Sequence, residues 1–367
     1  MAREAFFVGS YTIVDDWMPN AAGEGISRLE LDCATGRFGA VEPVARLGNP
    51  SYLALSPDGS VLLACSELFH EDGKVWTLVA DSDGGLRPVS ERTSMGRATC
   101  HVSFDPARNR VFASSYLDGR VVGYDADGAE LLGGPVVLEY EGEGPNRDRQ
   151  ESSHPHQVVV RGDSYFVPDL GADRVWIHHA EEPGAVMRAS VETPAGCGPR
   201  HLCFHPSLTL MYVVCELKPR VLVYEQSGAD GDWALVEDHE CELPALAGVA
   251  APGAIKLHPS GRMLTVSNRF SNSLQQFSID TGSGRLSAGR NVSLAGKTPR
   301  DFTFSSDGRR LIALCQDTNE AFSYSVDPET GVMEEAPTDR VEMGTPVCII
   351  AAAPPGRTAP GRTASGR

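Results

Sequence analysis

Residues Asn49–Glu67 read NPSYLALSPDGSVLLACSE: a polar lead, a short apolar run, a Pro57-Asp58-Gly59 turn, and a second apolar run that ends on a charged residue. Proline, aspartate and glycine between two such runs mark an antiparallel hairpin. The arrangement recurs along the chain. ATCHVSFDPARNRVFASSY begins at Ala98, SHPHQVVVRGDSYFVPD at Ser153 and GPRHLCFHPSLTLMYVVCE at Gly198. APGAIKLHPSGRMLTVSNR begins at Ala251, TPRDFTFSSDGRRLIALCQ at Thr298 and TPVCIIAAA at Thr345. A third strand follows in each unit, as in RVVGY from Arg120, RVWIH from Arg174 and RVLVY from Arg220, and then a looser fourth segment. Four short strands in roughly 40 to 50 residues is the size of a β-propeller blade.

The last unit stops after one strand. The first 48 residues supply what it lacks: AFFVGSYT, GISRLELD and RFGAVEPVARL. The pattern predicts an all-β, seven-bladed β-propeller over residues 1–353, with its last blade closed by strands from both termini. Closure leaves no open sheet edge. The segment after Pro354, PGRTAPGRTASGR, is rich in Pro, Gly and Arg and is expected to be disordered.

Composition narrows the function. A formal net charge of −17 repels nucleic-acid phosphates and anionic lipid, so neither is an expected partner. No apolar run reaches the roughly 18 residues of a membrane span, and MAREAFFVGSYT lacks the form of a signal peptide. The nine cysteines include no C-x-x-C pair. Cys65, Cys215 and Cys315 sit in apolar runs and read as small core residues of a cytoplasmic protein. No metal-ligand spacing, P-loop or G-x-G-x-x-G appears, so no metal and no cofactor is expected.

A propeller brings two positions of every unit to one mouth of its central channel: the start of the innermost strand and the end of the second. Eighteen residues after each lead stand Glu67, Tyr116, Glu216, Arg269 and Gln316, with Asp169 in the shorter third unit. Two and three residues after the lead stand Ser51-Tyr52, Cys100-His101, Pro155-His156, Arg200-His201, Gly253-Ala254 and Arg300-Asp301. Convergent acids, bases and cations in a concave site make an active site. His156, Arg200, Glu216 and Arg269 are the candidate catalytic set. Tyr52, Glu67, His101, Asp169, Arg300, Asp301 and Gln316 are candidate substrate contacts. His205 and His258 fall at turns of the far end and read as structural. His70, His178, His179 and His239 fall in outer strands or loops and are expected to be solvated. His154 is a second-sphere partner of His156 or a loop residue. Cys100-His101 is not expected to act as a dyad, because strand neighbours point to opposite faces.

The stretches NPSYLALSPDG, SHPHQVVV, PDLGADRV, GPRHLCFHP, NRFSNS and TPRDFTFSSDG resemble the seven-bladed propeller lactonase family, which includes bacterial 6-phosphogluconolactonases and fungal carboxy-cis,cis-muconate cyclases. The resemblance runs from VGSYT to VCII. It implies a metal-free site in the channel mouth, with the family's histidine, GPRH arginine, strand-end glutamate and Asn-Arg arginine at His156, Arg200, Glu216 and Arg269. It also implies 6-phosphogluconolactone as substrate, and a place in the pentose phosphate pathway. Where relatives carry Asn-Glu, this chain has Cys215-Glu216, which removes a hydrogen-bonding side chain beside the glutamate.

Lactone hydrolysis needs a base for water, donors for the oxyanion and an acid for the leaving alkoxide. Glu216 or His156 fits the base, and Arg200 and Arg269 fit the oxyanion and an anionic group of the substrate. A lactone-forming cycloisomerase would use the same set in the reverse sense. A non-catalytic propeller binding a partner or a sugar acid is the rival outside enzymes; it would show a platform of exposed aromatics, and the aromatics here fall mostly within strands.

Overall fold

The computed structural model describes residues 3–82, 84–180, 187–228, 232–241, 251–287 and 289–352. They form seven four-stranded antiparallel sheets. Blades 1 to 6 have their innermost strands at Tyr52–Leu55, Thr99–Asp105, Val159–Arg161, Pro199–Phe204, Pro252–Leu257 and Pro299–Phe304. In blade 7 the innermost strand, Pro346–Ala351, pairs with Arg3–Ser10, which continues to Ile26–Asp32 and Arg37–Ala45. The register Phe6↔Ala351 to Gly9↔Cys348 closes the ring as the split last unit predicted. The expected tail after Pro354 lies outside the described residues. No helix among the described residues is long and apolar enough to cross a membrane.

The second strands explain the unbroken apolar runs. Leu62–Ser66, Leu210–Cys215 and Met263–Asn268 are buried at every position, because each sheet is packed between two others. The core is therefore a set of wedges between blades. Leu210, Tyr212 and Val214 of blade 4 meet Ile255, Leu264 and Phe277 of blade 5. Ile312 and Leu314 of blade 6 meet Phe6, Val8 and Ile349 of blade 7. Each fully buried Leu, Ile or Phe stabilises by about 1.5–3 kcal/mol. Outer strands lose one neighbour and turn polar: Met333–Glu342 is exposed at most positions.

A backbone device aims each innermost strand at the channel. The lead residues Asn49, Ala98, Gly198, Ala251, Thr298 and Thr345 all have φ between 38° and 64°. This left-handed conformation costs about 1 kcal/mol or more for Ala and Thr, so surrounding structure must enforce it. The carbonyl of each lead accepts the N–H of the residue ending its blade's second strand: Asn49 from Glu67 at 3.0 Å, Gly198 from Glu216 at 2.8 Å, Ala251 from Arg269 at 3.3 Å and Thr345 from Tyr11 at 3.1 Å. In blade 3 the same bond runs from Leu170 to His154 at 3.0 Å. The lead there is His154, one residue later than the sequence alignment has it.

Two structural readings of histidine meet different outcomes. His205 Nδ1 accepts from Leu208 N at 3.0 Å, and His258 ties Ser260 to Gly308 O, so both organise turns as expected. His178, expected in solvent, is 4% exposed and bonds the Tyr140 hydroxyl at 2.9 Å. It faces the wedge between blades 2 and 3, which the third strand still reaches.

Candidate active site

The ends of the second strands form the mouth of the channel: Tyr11, Glu67, Tyr116, Leu170, Glu216, Arg269 and Gln316, in blade order from blade 7. The residues two past each lead form the floor, among them Cys100, His156, Arg200 and Arg300. A β-bulge falls here in several blades, as register shifts between Thr99/His101, Pro199/His201 and Pro299/Asp301 record. The extra residue breaks the alternation of the strand, so consecutive side chains both serve the channel. A cavity of about 150 Å³ lies over this floor, with Tyr11, Glu67, Tyr116, Arg149, His156, Glu216, Arg269 and Arg300 in its walls. Beneath it the channel narrows to about 10 Å³ between Tyr52, Arg200, His201 and Asp301, room for about one water.

Glu216 is the centre of the charged wall. Arg269 Nη2 lies 2.7 Å and Arg200 Nε 3.1 Å from its Oε2, and Arg149 Nη2 lies 2.7 Å from Oε1. Burial opposes ionisation of this carboxyl, but the three guanidiniums hold its pKa well below the usual carboxylate range. The two inner arginines are anchored from behind: Arg200 Nη1 donates to Gly253 O at 2.9 Å, and Arg269 Nε to Ala251 O at 3.1 Å. Arg200 Nε and Arg269 Nη2 touch the carboxylate off line and make no hydrogen bond among the described residues. Both nitrogens are shut off from the cavity and face Glu216 Oε2, so they act on the carboxylate. Burial, with Arg269 beside it, lowers Arg200 to about 10, so it stays charged at neutral pH.

His156 stands on the floor beside Glu216. Burial, reinforced by Arg200, pushes its pKa well below the ordinary histidine value, so the ring is neutral at pH 7. Its Nδ1 lies 3.6 Å from Cys100 Sγ. Burial pushes that thiol well up, which leaves it protonated and unfit as a nucleophile. His154 Nδ1 donates to Tyr116 O at 2.8 Å, and its ring stacks on that of Tyr116 at 4.4 Å. It supports the wall and does not enter the cavity.

The opposite wall holds a second, looser cluster. Tyr11 donates its hydroxyl to Glu67 Oε2 at 2.7 Å. Arg300 Nη2 lies 3.7 Å from the same oxygen, and its guanidinium sits 5.2 Å above the Tyr11 ring. Trp17, Met18 and Phe69 form an apolar lip, with Trp17 stacked on Phe69 at 4.9 Å. Trp17 and Phe270 are 49% and 60% exposed, so aromatics do gather outside the strands.

The predicted residues thus separate by depth. His156, Glu216, Arg269, Arg300 and Glu67 line the cavity, and Arg200 backs it. Tyr52, His101 and Asp301 lie below: Tyr52 packs on His101 at 4.2 Å, and Asp301 takes Lys256 at 2.7 Å and Ile349 N at 2.9 Å. Asp169 and Gln316 are not brought to the cavity. Asp169 is fully buried and accepts from His154 N, Gly171 N, Ala172 N and Trp176 Nε1, which makes it the clamp of its turn. Gln316 bonds Asp317 and borders a different hollow with Asn20 and Thr345. Two wall residues escape the offset count. Tyr11 belongs to the split blade, whose second strand comes from the other end of the sequence, so counting on from Thr345 does not reach it. Arg149 comes from the loop before blade 3, held by Gln150, whose Nε2 donates to Leu170 O at 2.9 Å.

A family model described as lactonase, seven-bladed β-propeller, matches residues 5–351. A 6-phosphogluconolactonase of Bacillus subtilis is 27% identical over 352 residues, covering 95% of this chain and 98% of its own. A 6-phosphogluconolactonase of Formosa agariphila is 26% identical, covering 92% and 97%. Among solved structures, a periplasmic gluconolactonase of Pseudomonas aeruginosa superposes with a TM-score of 0.86 at 28% identity, over 96% of this chain and 99% of its own.

Proposed function

The chain belongs to the seven-bladed β-propeller lactonase family, and on that premise we propose that it is a metal-independent lactonase whose preferred substrate is 6-phosphogluconolactone. The observation that carries this reading is charge. Four guanidiniums (Arg149, Arg200, Arg269 and Arg300) face two carboxylates (Glu67 and Glu216), an excess of two positive charges in a chain of net charge −17. Such a pocket draws in an anionic lactone and retains donors for the charge that develops on its carbonyl.

Neutral His156 removes a proton from water as it attacks the lactone carbonyl. Arg269, in the cavity wall, stabilises the oxyanion, and Arg200 behind it adds positive charge. Collapse breaks the ring C–O bond, and the imidazolium returns its proton to the leaving alkoxide. Glu216 is a weak base under three guanidiniums; it fixes the arginines and steadies the imidazolium. Among the described residues Arg149 bonds through Nη2, and its side chain is 44% exposed, which leaves other guanidinium donors for a phosphate. The free, buried thiols Cys65, Cys215 and Cys315 suit a reducing compartment, which supports a cytoplasmic, pentose phosphate role.

The test is hydrolysis of freshly generated 6-phosphogluconolactone against gluconolactone, with the spontaneous rate subtracted. The expected result is faster turnover of the phosphorylated lactone, lost in Arg269→Ala. Absence of turnover by folded protein overturns the reading and makes muconate-type lactones the next substrates to try.

A further inference from the structure

Among the charged groups of the cavity, Arg300 stands out for its lack of partners. Its side chain is 14% exposed, yet among the described residues it makes no hydrogen bond. Its nearest charge, Glu67 Oε2, is 3.7 Å away. That oxygen is already taken by the Tyr11 hydroxyl at 2.7 Å, and Glu67 Oε1 receives no hydrogen bond among the described residues. Arg300 and Glu67 Oε1 thus put a donor and an acceptor side by side in one wall of the cavity, both open to it. A ligand that meets both with hydrogen bonds gains two charge-assisted contacts at once.

The chemistry of that ligand follows from the pair. A phosphate dianion would meet the Glu67 carboxylate and be repelled, so it belongs across the cavity, near Arg149. A hydroxyl can donate to Glu67 Oε1, and a neighbouring hydroxyl oxygen can accept from Arg300. A polyhydroxylated ring offers such neighbouring groups, and its C–H face suits the apolar lip of Met18 and Phe69. We propose that Arg300 and Glu67 form a subsite that reads adjacent hydroxyls of the substrate, with Tyr11 as the positioning residue that orients Glu67. The proposal deepens the lactonase reading and rests on it: it assigns recognition of the lactone's hydroxyls to the wall opposite the reacting centre.

The experiment compares kcat/KM for glucono-δ-lactone with that for δ-valerolactone, a six-membered lactone without hydroxyls. It uses the unaltered protein, Glu67→Gln, Arg300→Lys and Tyr11→Phe, with thermal melts to check folding. The preference for gluconolactone should fall about tenfold or more in the first two variants, the scale of a lost hydroxyl contact, and about threefold in Tyr11→Phe. A preference that survives all three substitutions, or an equal loss on both lactones, overturns the proposal. If neither lactone is turned over, the 6-phosphogluconolactone assay decides the lactonase reading and equilibrium binding decides the subsite separately. Gluconate should then bind about tenfold more weakly to Glu67→Gln while hexanoate binding is unchanged; equal gluconate affinity overturns it.

Discussion

Glu216 and Glu67 occupy one position of the repeat, in blades 4 and 1, and both are about 5% exposed. Their neighbours make them different. Glu216 has three guanidiniums within 3.1 Å, whereas Glu67 has a tyrosine hydroxyl and one arginine at 3.7 Å. The first is an ionised anchor that holds three cations together. The second keeps an oxygen free for a neutral group. The repeat supplies the place of a side chain; the adjoining blades supply its chemistry. Two like residues with opposed surroundings are a general mark of divided roles in a site.

Breaking the tight cluster should have the largest effect. Glu216→Gln leaves three guanidiniums around a neutral amide. We expect a loss of about 3–5 kcal/mol of stability in urea unfolding, as for other broken buried pairs, and a fall of about 10²-fold or more in kcat/KM. A variant of undiminished stability would mean that the arginines do not depend on that carboxylate.

A pH series then separates carboxylates from histidines. Glu216 has its folded pKa below its unfolded one, so its contribution is complete above about pH 4.5 and is lost only as pH falls further. Burial, with Arg200 near, lowers His101 to about 3 and takes His156 and His201 well below 6.5. The unfolded chain therefore binds protons first as pH drops from about 6.5. Stability should decline between pH 6.5 and 5 by up to about 1.4 kcal/mol per unit for each of the three rings. Equilibrium unfolding at several pH values, repeated on His101→Gln, checks this: the variant should lose stability less steeply over the same range.

The loose cluster should respond mildly. Tyr11→Phe removes one hydrogen bond and is expected to cost about 1 kcal/mol, read by thermal unfolding. Smallest is Arg149→Met. Its side chain is 44% exposed, so water screens the pair, and the cost should stay below about 1 kcal/mol. The same substitution should raise KM for the phosphorylated lactone more than for gluconolactone.

Most of the fold was legible because each unit repeats a hairpin turn and two apolar runs, and because strands buried on both faces must be apolar throughout. The positions of His156, Arg200, Glu216, Arg269, Glu67 and Arg300 followed from counting along those units. The count failed where physics breaks the repeat. Blade 3 has its lead at His154, so Asp169 was aligned with residues one place further on. Its real counterpart, Leu170, is apolar. Ala98, Ala251, Thr298 and Thr345 carry no signal for the left-handed conformation that they adopt, since tertiary contacts impose it. Arg149 lies on an inter-blade loop, where no period constrains the chain. The exposure of Trp17 and Phe270 depends on lip loops for the same reason.

Tyr11 reaches the cavity from a blade whose strands come from opposite ends of the chain. Pairing of Phe6 with Ala351 is a highly non-local contact, and such contacts form late and slowly. During synthesis the first strand can pair with Ile26–Asp32, but its inner edge must wait for the last strand. A nascent chain with six blades would already hold Glu216 and its arginines, but Arg300 and Glu67 would flank a gap. Competence toward substrate is in this way tied to completion of the polypeptide, and the same seam is where mechanical or thermal opening should silence the site first.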